Sequence, residues 1–420
     1  MDVNQNEFQT TENGQKEKKN HLFLKGALFG ALLMFLAAAG MVAGGVFRLN
    51  GSGTGSQTTS SGTTFDGGTV VSSETETKLE LLRALADRYY LYDIDDQKLL
   101  DGIYKGFVDG LNDEYTVYYN EEETKELLET TSGVYCGIGA VLTANTDSGQ
   151  VQILSVYKDS PADKAGMKAD DILVSVDGKS ISGQTLSEVV SQIKGEEGTQ
   201  VKLEVSRNGK TVELTATRAK VEARTVEYEM KDAETGYLQI TEFDDVTLDQ
   251  YEQAMEDLKR QGMKRLVIDL RSNPGGNLDT VCDILKTMLP EGVIVYTEDK
   301  NGTKTEYKNE EDHTLDIPLV VLVNGMSASA SEIFTGAVQD YGIGTIVGTK
   351  TYGKGVVQQL VDLQDGTYLK ITISEYFTPK GRSIQKKGIE PDVTVEYEKN
   401  EQDENADNQL EKALEIVKQK

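Results

Sequence analysis

Leu319-Val-Val-Leu-Val323 is apolar at every position, and a strand without polar alternation has to be covered on both faces. It therefore calls for a sheet lying between layers of helix. The surrounding chain supplies such layers in alternation: Gly236-Tyr-Leu-Gln-Ile240, a helix near Leu248 to Gln261, Arg265-Leu-Val-Ile-Asp-Leu270 and a helix from Leu278 to Leu289. Residues 223–397 are accordingly read as an α/β domain.

The apolar strand runs into Asn324-Gly-Met-Ser-Ala-Ser-Ala-Ser-Glu332. Small residues between a strand and a helix can expose a hydroxyl at a sharp turn beside the helix N-terminus. Ser327, Ser329 and Ser331 all qualify, and any of them can serve as a helix cap or a packing residue. Downstream, Gly353-Lys-Gly-Val-Val-Gln358 offers an amine. A Ser-His-Asp arrangement needs an imidazole, and the chain has only 2 histidines in 420 residues. His21 adjoins an apolar run and His313 lies in a polar stretch, so neither is placed like a base. A lysine replaces imidazole only when desolvation makes its amine neutral near pH 7. Gly353 and Gly355 allow the tight bend that would carry Lys354 inward. The plainer reading is an exposed lysine that binds a carboxylate. If residues 354–358 are a strand, Lys354 and Gln358 share a face and Gln359 points away. Asn273-Pro-Gly-Gly276 reads as a strand-to-helix turn.

The formal charge is −27, from 43 basic and 70 acidic residues. That excludes a phosphate-binding surface and hence nucleic acid as a partner. Gly26 to Phe47 carries no charge and is long enough to cross a bilayer as a helix, with Lys16, Lys18, Lys19 and Lys25 before it. The positive-inside tendency then puts residues 1–20 in the cytoplasm, a single-pass anchor at 21–47, and the remainder outside the cell membrane. A signal peptide cleaved after Ala37-Ala38-Ala39 is the rival reading. Residues 48–73 are a Gly/Ser/Thr tether. Cys136 and Cys282 are the only cysteines and are expected unpaired. No HExxH pattern or other metal-ligand spacing is present, and neither metal nor cofactor is expected.

Leu79, Leu82, Leu85 and Ala86, then Leu99, Ile103, Phe107 and Leu111, recur at helical spacing and define a small helical module at 74–125 suited to packing or homodimer contact. From 126 to 222 the period changes to short strands, with tight-turn signals at Asp177-Gly178 and Asn208-Gly209 and one helix from Thr185 to Lys194. Within it, Gly137-Ile138-Gly139-Ala140, Ser160-Pro-Ala-Asp-Lys-Ala-Gly166 and Asp170-Asp-Ile-Leu-Val-Ser-Val-Asp-Gly178 make the segment resemble a PDZ domain. The resemblance implies that the glycine loop offers backbone N–H groups to a C-terminal carboxylate while the peptide adds as a strand. Alternatively, Gly137 and Gly139 only form a bend. The acidic tail 398–420 ends in a helix, Leu410 to Val417, whose stripe is suited to docking or dimerisation.

Taken in order, the PDZ-like segment, Asp269-Leu-Arg-Ser-Asn-Pro-Gly-Gly276, the serine run, Gly353–Gln358, Tyr376-Phe-Thr-Pro-Lys-Gly-Arg382 and Lys387-Gly-Ile-Glu-Pro-Asp392 resemble the carboxyl-terminal processing (tail-specific) serine proteases over about residues 74–397. The resemblance implies a crotonase-like α/β peptidase core carrying a PDZ insert, Ser329 as nucleophile, Lys354 as general base and Gln358 as the residue that orients it. It also implies an oxyanion hole built from Gly275 or Gly276 together with Ala330, and protein substrates recognised by their C-termini. Two rivals are weighed: a catalytically inactive membrane-tethered PDZ scaffold, and an acyl-CoA enzyme of crotonase type, which export and a PDZ insert disfavour.

Overall fold

A computed structural model describes residues 70–145, 149–400, 403 and 406–419. The expected cytoplasmic tail, the anchor and nearly all of the tether lie outside the described residues. Among the described residues no helix is long and apolar enough to cross a membrane.

The chain opens with α1 (Ser73–Tyr89), α2 (Asp96–Asp109), β1 (Val117–Tyr119) and α3 (Glu121–Ser132). Helix α1 buries none of its residues, and Leu81, Leu82 and Leu85 stand exposed on it. The segment expected as a small helical module also donates a strand, because β1 pairs with a strand of the peptidase region, Val117 lying opposite Lys370. The alternation at Val117–Tyr119 is too short to register against the helical periodicity around it.

The PDZ-like unit follows as β2 (Val134–Gly137), β3 (Ala140–Ala144), β4 (Val151–Val156), α4 (Pro161–Lys164), β5 (Ile172–Val176), β6 (Lys179–Ser180), α5 (Leu186–Ile193), β7 (Gln200–Arg207), β8 (Lys210–Thr217) and β9 (Ala219–Glu222). Strands β3, β4, β5, β7 and β8 form an antiparallel sheet with β6 added to β5, and β2 pairs with β9 where the chain enters and leaves the unit. Both tight turns form where the sequence signals them, with positive φ at Asp177 and Gly178 and at Asn208 and Gly209. Helix α5 starts at a Thr185–Glu188 capping box and buries Val189 and Ile193 against Ile153, Leu173 and Leu203.

The α/β unit comprises β10 (Val226–Met230), β11 (Thr235–Ile240), α6 (Thr247–Arg260), β12 (Arg265–Asp269), α7 (Leu278–Lys286), β13 (Gly292–Asp299), β14 (Lys304–Asn309), β15 (Leu319–Val323), α8 (Ala330–Tyr341), β16 (Thr345–Gly348), β17 (Val356–Asp362), β18 (Tyr368–Phe377), β19 (Val393–Thr394) and α9 (Asn408–Gln419). Its main sheet runs β10-β11-β12-β15-β16-β19, parallel except for the β10–β11 pair. Strand β15 is central and buried on both sides: Leu319, Val321 and Val323 join the core under α6, α7 and α8, whereas Val320 and Leu322 meet Ala413 and Val417 of α9. The tail helix therefore docks on its own chain, completing the cover that the apolar strand requires. Arg271 holds it there, bonded to Asp269 of β12 and to Asp407 at the start of α9. An antiparallel sheet, β1-β18-β13-β14 with β17 on β18, lies beside the main one. Cys136 and Cys282 are unpaired, Cys282 being buried and Cys136 partly so.

Candidate active site

The three serines are separated by what their surroundings do with them. Ser327 donates its hydroxyl to the Leu270 carbonyl at 2.7 Å and receives the Asn324 N–H at 2.9 Å. Ser331 donates to the Asn273 carbonyl at 3.0 Å. Both hydroxyls thus pin the turn after β15 to the end of β12. Ser329 alone occupies the sharp bend, at φ 55° and ψ −116°, immediately before α8. A non-glycine residue in that region is strained by roughly 1–3 kcal/mol, and such bends aim a side chain outward at a strand-to-helix junction. Ser329 lines a small cavity of about 10 Å³ with Gly276, Ala330 and Gln358, walled by Leu278, Ile333, Val356 and Tyr376.

The Asn273–Gly276 turn abuts it. Gly275 and Gly276 have φ of 110° and 138°, and neither tolerates a Cβ: one at Gly275 would lie 2.7 Å from Ser329 Cβ, and one at Gly276 would lie 2.5 Å from the Phe243 carbonyl oxygen. Buried Asn273 organises the turn, its Oδ1 accepting the Gly275 N–H at 2.8 Å and its Nδ2 donating to Ile240 O at 2.8 Å. The Gly275 amide is therefore committed. The amides of Gly276 and Ala330 have no partner among the described residues, which leaves them as the available donor pair.

Lys354 is buried to 2 % exposure. Its Nζ has no hydrogen-bond partner among the described residues and lies 4.8 Å from the centroid of the Tyr115 ring. Burial, then the neighbouring charge of Lys370, lowers this amine to about 7, against the opposing pull of Glu332, Glu114 and Asp113. The amine thus donates to neither Ser329 nor Gln358. The expected strand geometry also differs: Lys354 lies before β17, which begins at Val356, so the alternation on which a shared face rests does not reach it. Gln358 is buried and directs its amide nitrogen to Thr372 Oγ1 at 3.4 Å.

Two further residues join the serine and lysine loops. Glu332, fully buried in α8, accepts the Ser329 N–H at 3.0 Å and the Lys354 N–H at 2.8 Å on one oxygen, and Thr351 Oγ1 at 2.6 Å and the Gly353 N–H at 2.7 Å on the other. Burial pushes its carboxyl up to about 7, while these four donors favour the ionised form. Tyr376 places its hydroxyl between the Ser329 and Lys354 carbonyls. One signal for Glu332 is present in the sequence, since Ser329 and Glu332 have capping-box spacing. Tyr376 falls inside a motif block that the sequence singles out without assigning it a role.

In the PDZ-like unit Ile138 is buried and its carbonyl accepts the Ala162 N–H at 2.8 Å, while the Gly139 carbonyl accepts the Tyr157 N–H at 2.9 Å. Gly139 has φ 75°, and a Cβ there would lie 2.6 Å from Ser160 Cβ. Gly137 closes β2 opposite Ala219, and Ala140 begins β3 opposite Val156. The loop's Ile138 and Gly139 amides are unpartnered among the described residues. His313 is half exposed in a loop, its Nδ1 3.0 Å from the Lys286 carbonyl. No group of three metal-ligating side chains occurs among the described residues.

The chain has relatives among known proteins. Residues 234–395 match the family model for peptidase family S41, and residues 152–207 match a PDZ domain. The chain is 38% identical over 309 residues to "Carboxy-terminal processing protease CtpA" of Bacillus subtilis (strain 168), covering 73% of this chain and 66% of the relative. It is 37% identical over 326 residues to "Probable CtpA-like serine protease" of Staphylococcus aureus (strain COL), covering 77% and 65% respectively. These matches take in just under two thirds of the relatives' own length. A solved structure titled "Photosystem II D1 C-terminal processing protease" is 30% identical, with 78% of this chain and 94% of that chain covered and a TM-score of 0.45.

Proposed function

The chain belongs to peptidase family S41, in its PDZ-containing carboxyl-terminal processing branch, and from that membership we propose that it is a serine endopeptidase working through Ser329 and Lys354. In this reading the neutral Lys354 amine takes the Ser329 proton as Oγ attacks the scissile carbonyl. The oxyanion that forms is met by the N–H groups of Gly276 and Ala330. Lys354 then returns the proton to the leaving amine, and water releases the acyl group by the same path in reverse.

The observation that carries this reading is a strained serine at a helix start with a buried, nearly neutral lysine whose loop is tied to it through Glu332. Because Lys354 donates to neither Ser329 nor Gln358, the amine has to turn toward the hydroxyl before attack. Gln358 then orients it by accepting a hydrogen bond on its side-chain carbonyl. The PDZ unit selects protein substrates by their free C-terminus, through the unpartnered Ile138 and Gly139 amides. Segment 21–47 anchors the enzyme with its catalytic domain outside the cytoplasmic membrane, as its apolar run and preceding lysines suggest.

Fluorophosphonate labelling tests the chemistry. Labelling of the wild type and its loss in Ser329→Ala is the expected result. An unlabelled wild type would leave a tethered peptide-binding scaffold instead. Amidating the C-terminus of a substrate should weaken its binding, and unchanged turnover would exclude carboxylate reading. A tag at the N-terminus should remain on the membrane-bound protein.

A further inference from the structure

Lys354 is not the only lysine buried beside this site. Lys370, in β18, is 3 % exposed, and its Nζ lies 5.3 Å from the Tyr119 ring centroid much as that of Lys354 lies 4.8 Å from the Tyr115 ring. Both rings belong to one segment, Asp113–Tyr119, that runs from the N-terminal helices onto β18. The Thr372 N–H donates to Thr116 Oγ1 at 3.1 Å, and the Thr116 hydroxyl donates to Asp113 at 2.5 Å, which straps the segment over the sheet. Lys370 and Thr372 alternate along β18 and so share a face, whereas Tyr376 lies beyond the extra residue Ile373. Thr372 takes the Gln358 amide on that face, and Tyr376 bonds the Lys354 carbonyl. Two lysines therefore lie under one strap, next to the serine loop.

We propose that Lys370 is a positioning residue of the peptidase reaction, acting on Lys354 by like-charge repulsion beneath the Asp113–Tyr119 strap, so that the pair's first proton leaves from Lys354. This rests on Lys354 being the base. Burying one ammonium is costly and burying two side by side is costlier, so such a pair sheds a proton near neutrality. The groups facing them are Asp113 and Glu114 from the strap and Glu332 from α8, all of which favour the charged form of Lys354, and Asp113 does the same for Lys370. Burial holds Lys370 down to about 8 and Lys354 to about 7. With Lys370 charged, its repulsion favours loss of the proton from Lys354, which is then ready to accept the serine proton.

The test is the pH profile of kcat/KM for peptide cleavage, from pH 5.5 to 9.5, on the full chain. Lys370→Met should move the acid limb upward by about one pH unit, which lowers the rate about tenfold below the limb and much less on the plateau. Lys370→Arg keeps the charge at every pH, so its limb should stay in place or move lower, whatever its plateau. A limb that stays put in Lys370→Met, or a loss uniform across pH, overturns the proposal, as does an upward shift in Lys370→Arg. Should Lys370→Met not fold by circular dichroism, Lys370→Gln carries the same expectation and the Arg variant still decides. Activity that survives Ser329→Ala would instead overturn the parent reading; a Ser329-dependent enzyme with an unmoved limb overturns only the role of Lys370.

Discussion

Replacing Lys354 by Met should abolish cleavage and at the same time make the protein more stable. The amine is lowered from 10.5 to about 7 in the folded state, chiefly by burial. Between those values the unfolded chain binds the proton that the folded chain has given up, so wild-type stability rises with pH across that window. The destabilisation is fully present below about pH 7 and fades as pH climbs toward 10.5. At ~1.4 kcal/mol for each tenfold, keeping this group inside costs about 4 kcal/mol at pH 7 and about 2 kcal/mol at pH 9. Met has nearly the same length, carries no charge, and can keep its contact with the Tyr115 ring. Urea unfolding should be followed by far-UV circular dichroism, since the chain has 0 tryptophans. With a slope of about 3 kcal/mol per molar, the midpoint of Lys354→Met should exceed the wild type by about 1 M at pH 7 and by roughly half that at pH 9. A midpoint at or below the wild type at pH 7, or a gap that does not narrow by pH 9, would refute a neutralised buried base.

Other substitutions test the parts around it. Ser329→Gly should be inactive yet more stable by about 1–2 kcal/mol in urea, because glycine tolerates φ 55° without strain. Glu332→Gln keeps the shape but turns an NH2 group toward two of its four buried donors, so it should cost about 2–5 kcal/mol and lower kcat with it; an unchanged urea midpoint would remove the tie between the loops. Tyr376→Phe should cost about 1–2 kcal/mol and lower kcat more than it changes KM. Gly139→Ala forces a Cβ to 2.6 Å from Ser160 Cβ at φ 75°, so calorimetric binding of a free-carboxylate peptide should fall at least about tenfold.

What can be read from the sequence here is what is local. The strand Leu319–Val323, the serine run behind it and the Asn273-Pro-Gly-Gly turn are each contiguous, and each forms the element its composition implies. The choice among Ser327, Ser329 and Ser331 depends on where the neighbouring hydroxyls find acceptors, and those are the carbonyls of Leu270 and Asn273 on a different strand. The relation between Lys354 and Gln358 is hidden for a similar reason. Even spacing implies a shared face only within a strand, and pairing with β18 begins at Val356, beyond Lys354. Tyr115 is less legible still, since it reaches Lys354 from the far side of the PDZ-like unit in sequence and nothing in its surroundings marks it.

The position of Tyr115 bears on how the site is assembled. A lysine loses its proton at neutral pH only if water is kept from it, and the segment that covers Lys354 belongs to the N-terminal part of the chain rather than to the peptidase stretch matched at 234–395. The same segment leads through α3 to Gly133, whose carbonyl accepts the Ala223 N–H at 2.7 Å where the chain leaves the PDZ-like unit. Lys194 beside α5 further pairs with Glu129 of α3 at 2.9 Å. The cover on Lys354 and the mount of the PDZ-like unit are thus one stretch of chain. A peptidase segment cut out on its own would expose the Lys354 amine to water and let it return toward its ordinary value, leaving it protonated at neutral pH. Adding back residues 70–132 should restore activity at pH 7, whereas the isolated segment, if it folds, should cleave only at markedly higher pH. Equal pH profiles for the two would show that the desolvation of Lys354 does not depend on the strap.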